Sequence, residues 1–185
     1  MATHLILQKI FKTGIVSEAP PAADLSLRTR EQELHEEILK VFGQAVAIRH
    51  VDAGSCNGCE LEIHALGGPH YNIEGLGVKF AASPRHVDVL LVTGPVSRNL
   101  ETALKRTYDA TPEPKWVVAM GDCAGGCGSV GAMFGPNYAS CGKIANVIPV
   151  DVEVPGCPPT PAALLAGILA AVSGAGASAK KHPSA

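Results

Sequence analysis

The sequence predicts an α/β fold, a doubly wound parallel sheet of the flavodoxin type. Short runs rich in valine and isoleucine, which are typical of buried parallel strands, alternate along the chain with stretches that suit helices. Strands that alternate with helices form parallel sheets through right-handed crossovers. The predicted strands are residues 45–50, 78–81, 87–92, 116–120 and 146–150.

The predicted helices complete the alternation. They span residues 60–66, 98–108 and 161–172, and the last of them has a proline near its start, where proline suits a helix. We therefore predict one flavodoxin-like domain over residues 45–172.

Two flanking segments are predicted outside this domain. Residues 1–44 are expected to form an N-terminal arm that includes an amphipathic helix, because apolar residues recur there at helical spacing. Those apolar residues are Leu34, Ile38, Leu39 and Phe42. Residues 173–185 are rich in alanine, glycine and serine and are predicted to be a disordered tail.

The low content of charged residues suggests a subunit of a larger assembly. Only 17% of the chain is charged, whereas a soluble domain averages roughly 25%. A free monomer of this composition would expose much apolar surface, and a partner would cover it. The net charge of −2 gives no reason to expect nucleic acid or an anionic membrane surface as a partner.

The chain is expected to function in the cytoplasm. Its longest apolar stretch, residues 162–172, is shorter than the roughly 18 residues of a membrane-spanning helix, and the N-terminus lacks a secretory pattern. Thiols stay reduced in the cytoplasm, so the 6 cysteines indicate metal binding rather than structural disulfides.

Four of the cysteines follow the carboxyl ends of predicted strands. Cys56 and Cys59 follow the first strand, in the motif C-N-G-C. Cys123 follows the fourth strand and Cys157 the fifth. Loops at this edge of an open parallel sheet lie side by side and form its ligand sites. These cysteines are therefore expected to converge, with the ligands of an iron–sulfur cluster carried on loops.

Four converging thiolates suit either zinc or a [4Fe–4S] cluster. A zinc ribbon repeats its C-x-x-C knuckle, whereas this chain has one close pair and two distant single cysteines. The spacing favours iron–sulfur. A structural zinc module and a thioredoxin-like dithiol remain as alternatives of another class.

The remaining cysteines and the histidines have simpler interpretations. Cys127 and Cys141 exceed a four-ligand set and are interpreted as small buried residues, with an alternate ligand or extra thiol as the other role. His64, His70 and His86 share no metal-ligand spacing and are interpreted as surface residues or residues behind the ligands. The glycine-rich run G-D-C-A-G-G-C-G-S-V-G lacks the Gly-Lys-Ser/Thr ending of a phosphate loop, so nucleotide binding is not expected there.

The motifs resemble those of a known family. The series C-N-G-C-E-L-E, S-P-R-H-V-D-V-L-L-V-T-G, P-E-P-K-W-V-V-A-M-G-D-C-A and V-I-P-V-D-V-E-V-P-G-C-P-P-T-P is similar, in order, to the complex I 20-kDa subunit family. That family includes the small subunits of membrane-bound, energy-converting [NiFe] hydrogenases, as in formate hydrogenlyase. The resemblance covers residues 45–172. The opening K-I-F-K-T-G-I-V-S-E is similar to the arm of the hydrogenase branch.

The resemblance implies an electron-transfer subunit without an independent active site. It implies one [4Fe–4S] cluster held by Cys56, Cys59, Cys123 and Cys157, at the interface with a large subunit. That partner carries Ni–Fe in hydrogenases and is the 49-kDa-like subunit at the quinone site in complex I. A ferredoxin-like iron–sulfur subunit and membrane subunits are the other implied partners. They would hold the chain peripherally on the cytoplasmic face of the inner membrane.

The cysteine spacing separates the branches of this family. Respiratory complex I subunits have adjacent cysteines, as in C-C-A-x-E, whereas hydrogenase small subunits have C-x-x-C. Glycine occupies position 58 here, which favours the hydrogenase branch, with a complex I-type subunit that reduces quinone as the alternative. Two local departures are Cys127, where glycine is usual, and a slightly longer loop after Cys141.

Two acidic residues lie beside the C-x-x-C motif. Glu60 and Glu62 would sit near a cluster and a dry interface, where a role as a proton relay is one interpretation. The other is that they are acids at a helix start, stabilised by the helix dipole.

Overall fold

The computed structural model describes residues 28–29, 31–33, 35–36 and 45–178. The strands are β1 Val46–Asp52, β2 Val78–Phe80, β3 Val89–Thr93, β4 Val96–Ser97, β5 Trp116–Met120, β6 Ser140–Gly142 and β7 Val152–Val154. A five-stranded sheet has the order β2-β1-β3-β5-β7, and all of its pairings are parallel. Two short strands, β4 and β6, form a separate antiparallel pair. The predicted fold class is confirmed.

Helices cover both faces of the sheet. The helices are α1 Gly58–Leu66, α2 Arg98–Ala110, α3 Asp122–Gly125, α4 Gly128–Met133 and α5 Pro161–Ser178. Because successive side chains of a strand point to opposite faces, Leu90 and Leu91 of β3 lie in different apolar layers. The layer of Leu91 includes residues from α1 and α5, and the layer of Leu90 includes Leu104 of α2.

The prediction of the fifth strand was wrong in position. Residues 146–150 are not a strand; a 3₁₀ turn at Ile144–Asn146 precedes a loop, and the strand begins at Val152. Pro149 has no N–H to donate to the neighbouring strand, and a backbone hydrogen bond to β5 is made only further along, from Asp151 N to Val117 O at 2.9 Å. Ile148 instead packs into the second apolar layer as a loop residue. The observed strand pairs with β5, with Val152 opposite Val118.

The predicted domain ends stay predictions. Helix α5 runs to Ser178, beyond residue 172, at which the predicted domain ends. Residues 179–185 lie outside the described part of the chain. At the other end, the described residues between 28 and 36 are helical. The apolar residues that predicted this helix, and the arm before it, lie outside the described residues.

No helix in the described part of the chain is long and apolar enough to cross a membrane.

Candidate metal centre

Three loops bring the four predicted ligands to one edge of the sheet. Cys56 lies in the loop after β1, and Cys59 lies in the first turn of α1. Cys123 lies in α3, directly after β5, and Cys157 follows β7. Cys59 is buried, Cys123 is partly buried, and Cys56 and Cys157 are exposed. The structure therefore places all four beyond the carboxyl ends of strands.

The electrostatics of Cys59 show that the four thiols face one region. The pKa of Cys59 is raised to about 12, chiefly by burial and also by the neighbouring Cys123, Glu60, Cys56 and Cys157. Such charge effects act over short distances. Burial likewise raises the pKa of Cys123, with Cys157 and Cys56 as further contributors. The thiols of Cys59 and Cys123 therefore keep their protons at neutral pH unless a cation binds.

Gly121 leaves space between two of the thiols. It ends β5 with φ +102, and a Cβ there would lie 3.0 Å from Cys59 Sγ and 3.8 Å from Cys123 Sγ. A side chain at this position would fill the space into which both sulfurs point. A residue without Cβ is thus required by both the backbone conformation and the space.

The loops of Cys123 and Cys157 are tied together by Asp122. Its backbone N–H donates to Gly156 O at 2.9 Å, and Gly156 N donates to Asp122 Oδ1 at 2.7 Å. Gly121 N also donates to Val154 O at 2.9 Å, as an extension of the pairing of β5 with β7. This reciprocal pair fixes the spacing of the two ligand loops.

The first cysteine loop, residues 53–57, is held by its own side chains. Asp52 Oδ1 accepts from Gly54 N and Ser55 N, both at 2.8 Å. Ser55 Oγ accepts from Asn57 N at 2.9 Å, and Asn57 has the left-handed φ of 71°. An asparagine tolerates this conformation better than most residues. The chain therefore turns sharply at Asn57, between Cys56 of the loop and Cys59 of α1.

The two acids beside the motif, Glu60 and Glu62, have different environments in the structure. The carboxylate of Glu60 accepts hydrogen bonds from Ser55 Oγ at 2.6 Å and from Thr93 Oγ1. Burial raises the pKa of Glu60, but these two hydrogen bonds, together with a backbone N–H and the nearby His50, bring the pKa below its usual value. Glu62 is partly buried and has no hydrogen-bond partner among the described residues. A proton relay through either residue stays a prediction.

The two surplus cysteines point to carboxylates elsewhere. Cys127 Sγ lies 3.7 Å from Glu153 Oε2, and Cys141 Sγ lies 3.2 Å from Glu101 Oε2, each as a weak S–H donor. Cys141 is buried, as predicted, whereas Cys127 is only partly buried.

The three histidines singled out in the sequence, His64, His70 and His86, are exposed.

The four thiols fit an iron–sulfur cluster in their donor chemistry. No three His, Cys, Asp or Glu side chains in the described ranges meet in an arrangement that would hold a metal ion. The four thiols nevertheless lie near one another, because Cys123, Cys56 and Cys157 all act on the charge of Cys59, and Gly121 leaves room between Cys59 and Cys123. Four cysteine thiolates are the donor set of a [4Fe–4S] cluster.

Sequence reasoning missed the polar residues that support these loops. Ser55, Thr93 and Asp122 carry no metal-ligand signature, and His50 lies inside a strand. One signal was present, because Thr93 is a polar residue at the end of an otherwise apolar strand. Its role became visible only with the register of β1 against β3, in which Asp52 pairs with Thr93.

Comparison with known proteins gives a consistent family. A family profile described as NADH ubiquinone oxidoreductase, 20 Kd subunit, matches residues 56–171. The chain is 43% identical over 147 residues to a Pyrococcus furiosus protein named probable membrane-bound hydrogenase subunit mbhJ, covering 80% of this chain and 86% of the relative. It is 39% identical over 153 residues to formate hydrogenlyase subunit 7 of Escherichia coli, covering 83% of this chain and 57% of the relative.

A solved structure shares the fold at detectable sequence identity. It is a chain of the membrane-bound sulfane sulfur reductase, an archaeal respiratory membrane complex, with a TM-score of 0.59, 28% identity and 77% coverage of each chain. These relatives are subunits of oxidoreductase complexes of the membrane-bound hydrogenase or complex I type. This chain therefore belongs to the family of the 20 kDa subunit of NADH ubiquinone oxidoreductase.

Proposed function

We propose that this chain is the electron-transfer small subunit of a membrane-bound hydrogenase complex and carries one [4Fe–4S] cluster on Cys56, Cys59, Cys123 and Cys157. The observation that supports this proposal is that four thiols, carried after three different strands, lie near one another at the same edge of the sheet. The relatives named as hydrogenase and formate hydrogenlyase subunits support the choice of complex.

The chain's own residues would bind and shield the cluster. When bound, the cluster supplies one-electron transfer at a potential set by its charge, hydrogen bonds and burial. The four thiols lose their protons on binding, so loading releases protons. Buried Cys59 excludes water from one side, while the exposed Cys56 and Cys157 leave the other side open to a partner.

The proposed partners follow from the assembly. A large Ni–Fe subunit would cover the open side, a ferredoxin-like iron–sulfur subunit would exchange electrons with the complex, and membrane subunits would anchor it. The chain would then lie peripherally on the cytoplasmic face of the inner membrane. Electrons that pass through this cluster would reduce protons, and the reverse direction would oxidise hydrogen.

A complex I-type subunit that delivers electrons to quinone is the second candidate, since the family profile is named for that enzyme. The C-x-x-C spacing of Cys56 and Cys59 favours the hydrogenase. The sequence of the large subunit encoded with this chain distinguishes the two. Two C-x-x-C motifs near its ends would supply a Ni–Fe site, and their absence would favour the quinone reaction.

The cluster is tested on the full chain, purified without oxygen. We expect about four iron and four sulfide per chain and an electron paramagnetic resonance signal after reduction. A colourless protein that contains zinc would overturn the electron-transfer role and support the structural zinc alternative.

The ligand set is tested by cysteine variants. Cys56→Ala and Cys157→Ala change exposed residues, so the fold is expected to persist while iron and sulfide fall well below the wild-type content. Cys127→Ala and Cys141→Ala are matched controls, because both thiols point to carboxylates outside the site. Their iron content should equal that of the wild type. Equal loss from Cys127→Ala would show that the ligand set is wrong.

A further inference from the structure

We propose that Glu60 is a positioning residue that fixes the first cysteine loop against the ends of β1 and β3, so that Cys56 and Cys59 are held ready for the cluster. The inference rests on the proposed function for the cluster itself. That Glu60 immobilises the loop depends only on contacts within this chain, and it can be tested without the cluster.

The side chain of Glu60 bridges three elements. Glu60 lies in the first turn of α1, directly after Cys59, and its side chain is only 13% exposed. Its Oε2 accepts from Ser55 Oγ in the loop, and its Oε1 accepts from Thr93 Oγ1 at the end of β3. One carboxylate therefore joins α1, the first cysteine loop and the neighbouring strand.

Ser55 passes this constraint to the residues between the cysteines. Its hydroxyl donates to Glu60 and accepts from Asn57 N at 2.9 Å. Asn57 lies between the two cysteines in the left-handed conformation, and its carbonyl accepts from Leu61 N at 3.2 Å. Loss of the bond to Glu60 would leave Ser55 free to rotate and would release the turn at Asn57.

The donors and acceptors around position 60 suit a carboxylate. An ionised carboxylate only accepts hydrogen bonds, so Ser55 and Thr93 both donate their hydroxyl hydrogens to it. Thr93 then accepts from His50 Nε2 at 3.0 Å, which means that this ring nitrogen carries the hydrogen. The chain of bonds thus runs from His50 of β1 through buried Thr93 to Glu60.

A glutamine at position 60 can keep only one of the two bonds in its present direction. Its amide has one oxygen acceptor and one NH₂ donor, so one hydroxyl would accept from the NH₂ and leave its own hydrogen without this acceptor. Glu60→Gln keeps the shape of the side chain but weakens both bonds, because neither is then made to a charged group. The loop should therefore open more often, without loss of the fold.

Amide hydrogen exchange on the full, iron-free chain tests the positioning. In Glu60→Gln we expect the peptide over residues 52–62 to exchange about fivefold to tenfold faster, the effect of one hydrogen bond on a local opening. Exchange of the sheet should not change. Glu74→Gln removes an exposed carboxylate on the turn Ile73–Leu76 and serves as the charge-matched control.

Variants of Thr93 give an independent test if Glu60→Gln does not fold. Thr93→Val removes the hydroxyl at nearly constant volume and should reproduce the faster exchange, whereas Thr93→Ser keeps the hydroxyl and should resemble the wild type. Wild-type exchange in both Glu60→Gln and Thr93→Val would overturn the proposal.

A second readout uses the loaded chain. After anaerobic loading, Glu60→Gln should lose iron to a chelator several-fold faster than the wild type or Glu74→Gln. Equal rates of iron loss would contradict a positioning role toward the cluster. A wild-type chain that binds no iron would instead contradict the proposed function, and the exchange measurement would still decide whether Glu60 immobilises the loop.

Discussion

At the scale of single residues, burial sets the charge state of His50. Burial lowers the pKa of His50, and the nearby Glu60 and Asp52 carboxylates oppose the shift without reversing it. The ring is therefore neutral at neutral pH, and the 3.4 Å approach of His50 Nε2 to Glu60 Oε1 is then not an ion pair. The hydrogen bond to Thr93 is its defining contact.

This charge state predicts how stability changes with pH. A lowered pKa means that the native state prefers neutral His50, so its contribution is fully present above the unfolded value of 6.5 and is lost as the pH falls below it. Urea unfolding between pH 5 and pH 8 measures this. His50→Gln keeps a donor toward Thr93 but cannot titrate, so its stability should fall less steeply below pH 6.5. Parallel curves would contradict the assignment.

The candidate ligands could be nominated at this scale, and the residues that support their loops could not. Cysteine is rare and chemically distinctive, so its position after predicted strands was sufficient to nominate Cys123 and Cys157. Ser55 and Thr93 are common residues, and their pairing through Glu60 depends on the register of β1 against β3. Register of neighbouring strands is a tertiary property that a single sequence does not display.

At the scale of elements, strand prediction succeeded where apolar residues were uninterrupted. All residues of β3 and β5 are buried, which is why the sequence shows them as the apolar runs V-L-L-V and W-V-V-A-M. The error at β7 arose because Val147 and Ile148 are apolar for another reason. They pack as a loop against the second layer, and the strand that follows is only three residues long. Apolar runs report burial, and the type of element needs further information.

Helix α5 allows a matched test of packing against helix propensity. Replacing glycine by alanine inside a helix usually stabilises it by about 0.5–1 kcal/mol. At Gly167 the new Cβ would overlap Val154 Cγ2 of β7. Gly167→Ala should therefore destabilise the chain by about 1–3 kcal/mol, the usual effect of overpacking.

The control for this prediction lies in the same helix. A Cβ at Gly174 would have no atom within 4 Å, so Gly174→Ala should show the usual stabilisation. Both variants are compared by chemical denaturation. If Gly167→Ala were as stable as Gly174→Ala, the close packing of α5 on β7 would be wrong.

At the scale of the whole molecule, the strand order explains how distant cysteines meet. The ligand loops follow β1, β5 and β7, but β3 lies between β1 and β5. The first cysteine loop must therefore cross the end of β3 to reach the others. Gly94 permits the crossing, because a Cβ there would lie within 2.6 Å of Ser55 Cα. The sequence predicted a shared edge, and the need for this crossing follows only from the strand order.

The crossing predicts a distinctive effect of Gly94→Ala. The new Cβ would push the backbone of Ser55 away from β3, and the φ of +77 at this position adds strain of about 1–2 kcal/mol for a residue other than glycine. The other ligand loops, clamped by Asp122, should be unaffected. We expect a folded but less stable chain whose iron content after anaerobic loading falls clearly below that of the wild type. Gly135→Ala is the control, because its Cβ would have only an ordinary contact at 3.8 Å. Full iron content in Gly94→Ala would mean that the first cysteine loop reaches the site without the close passage over β3.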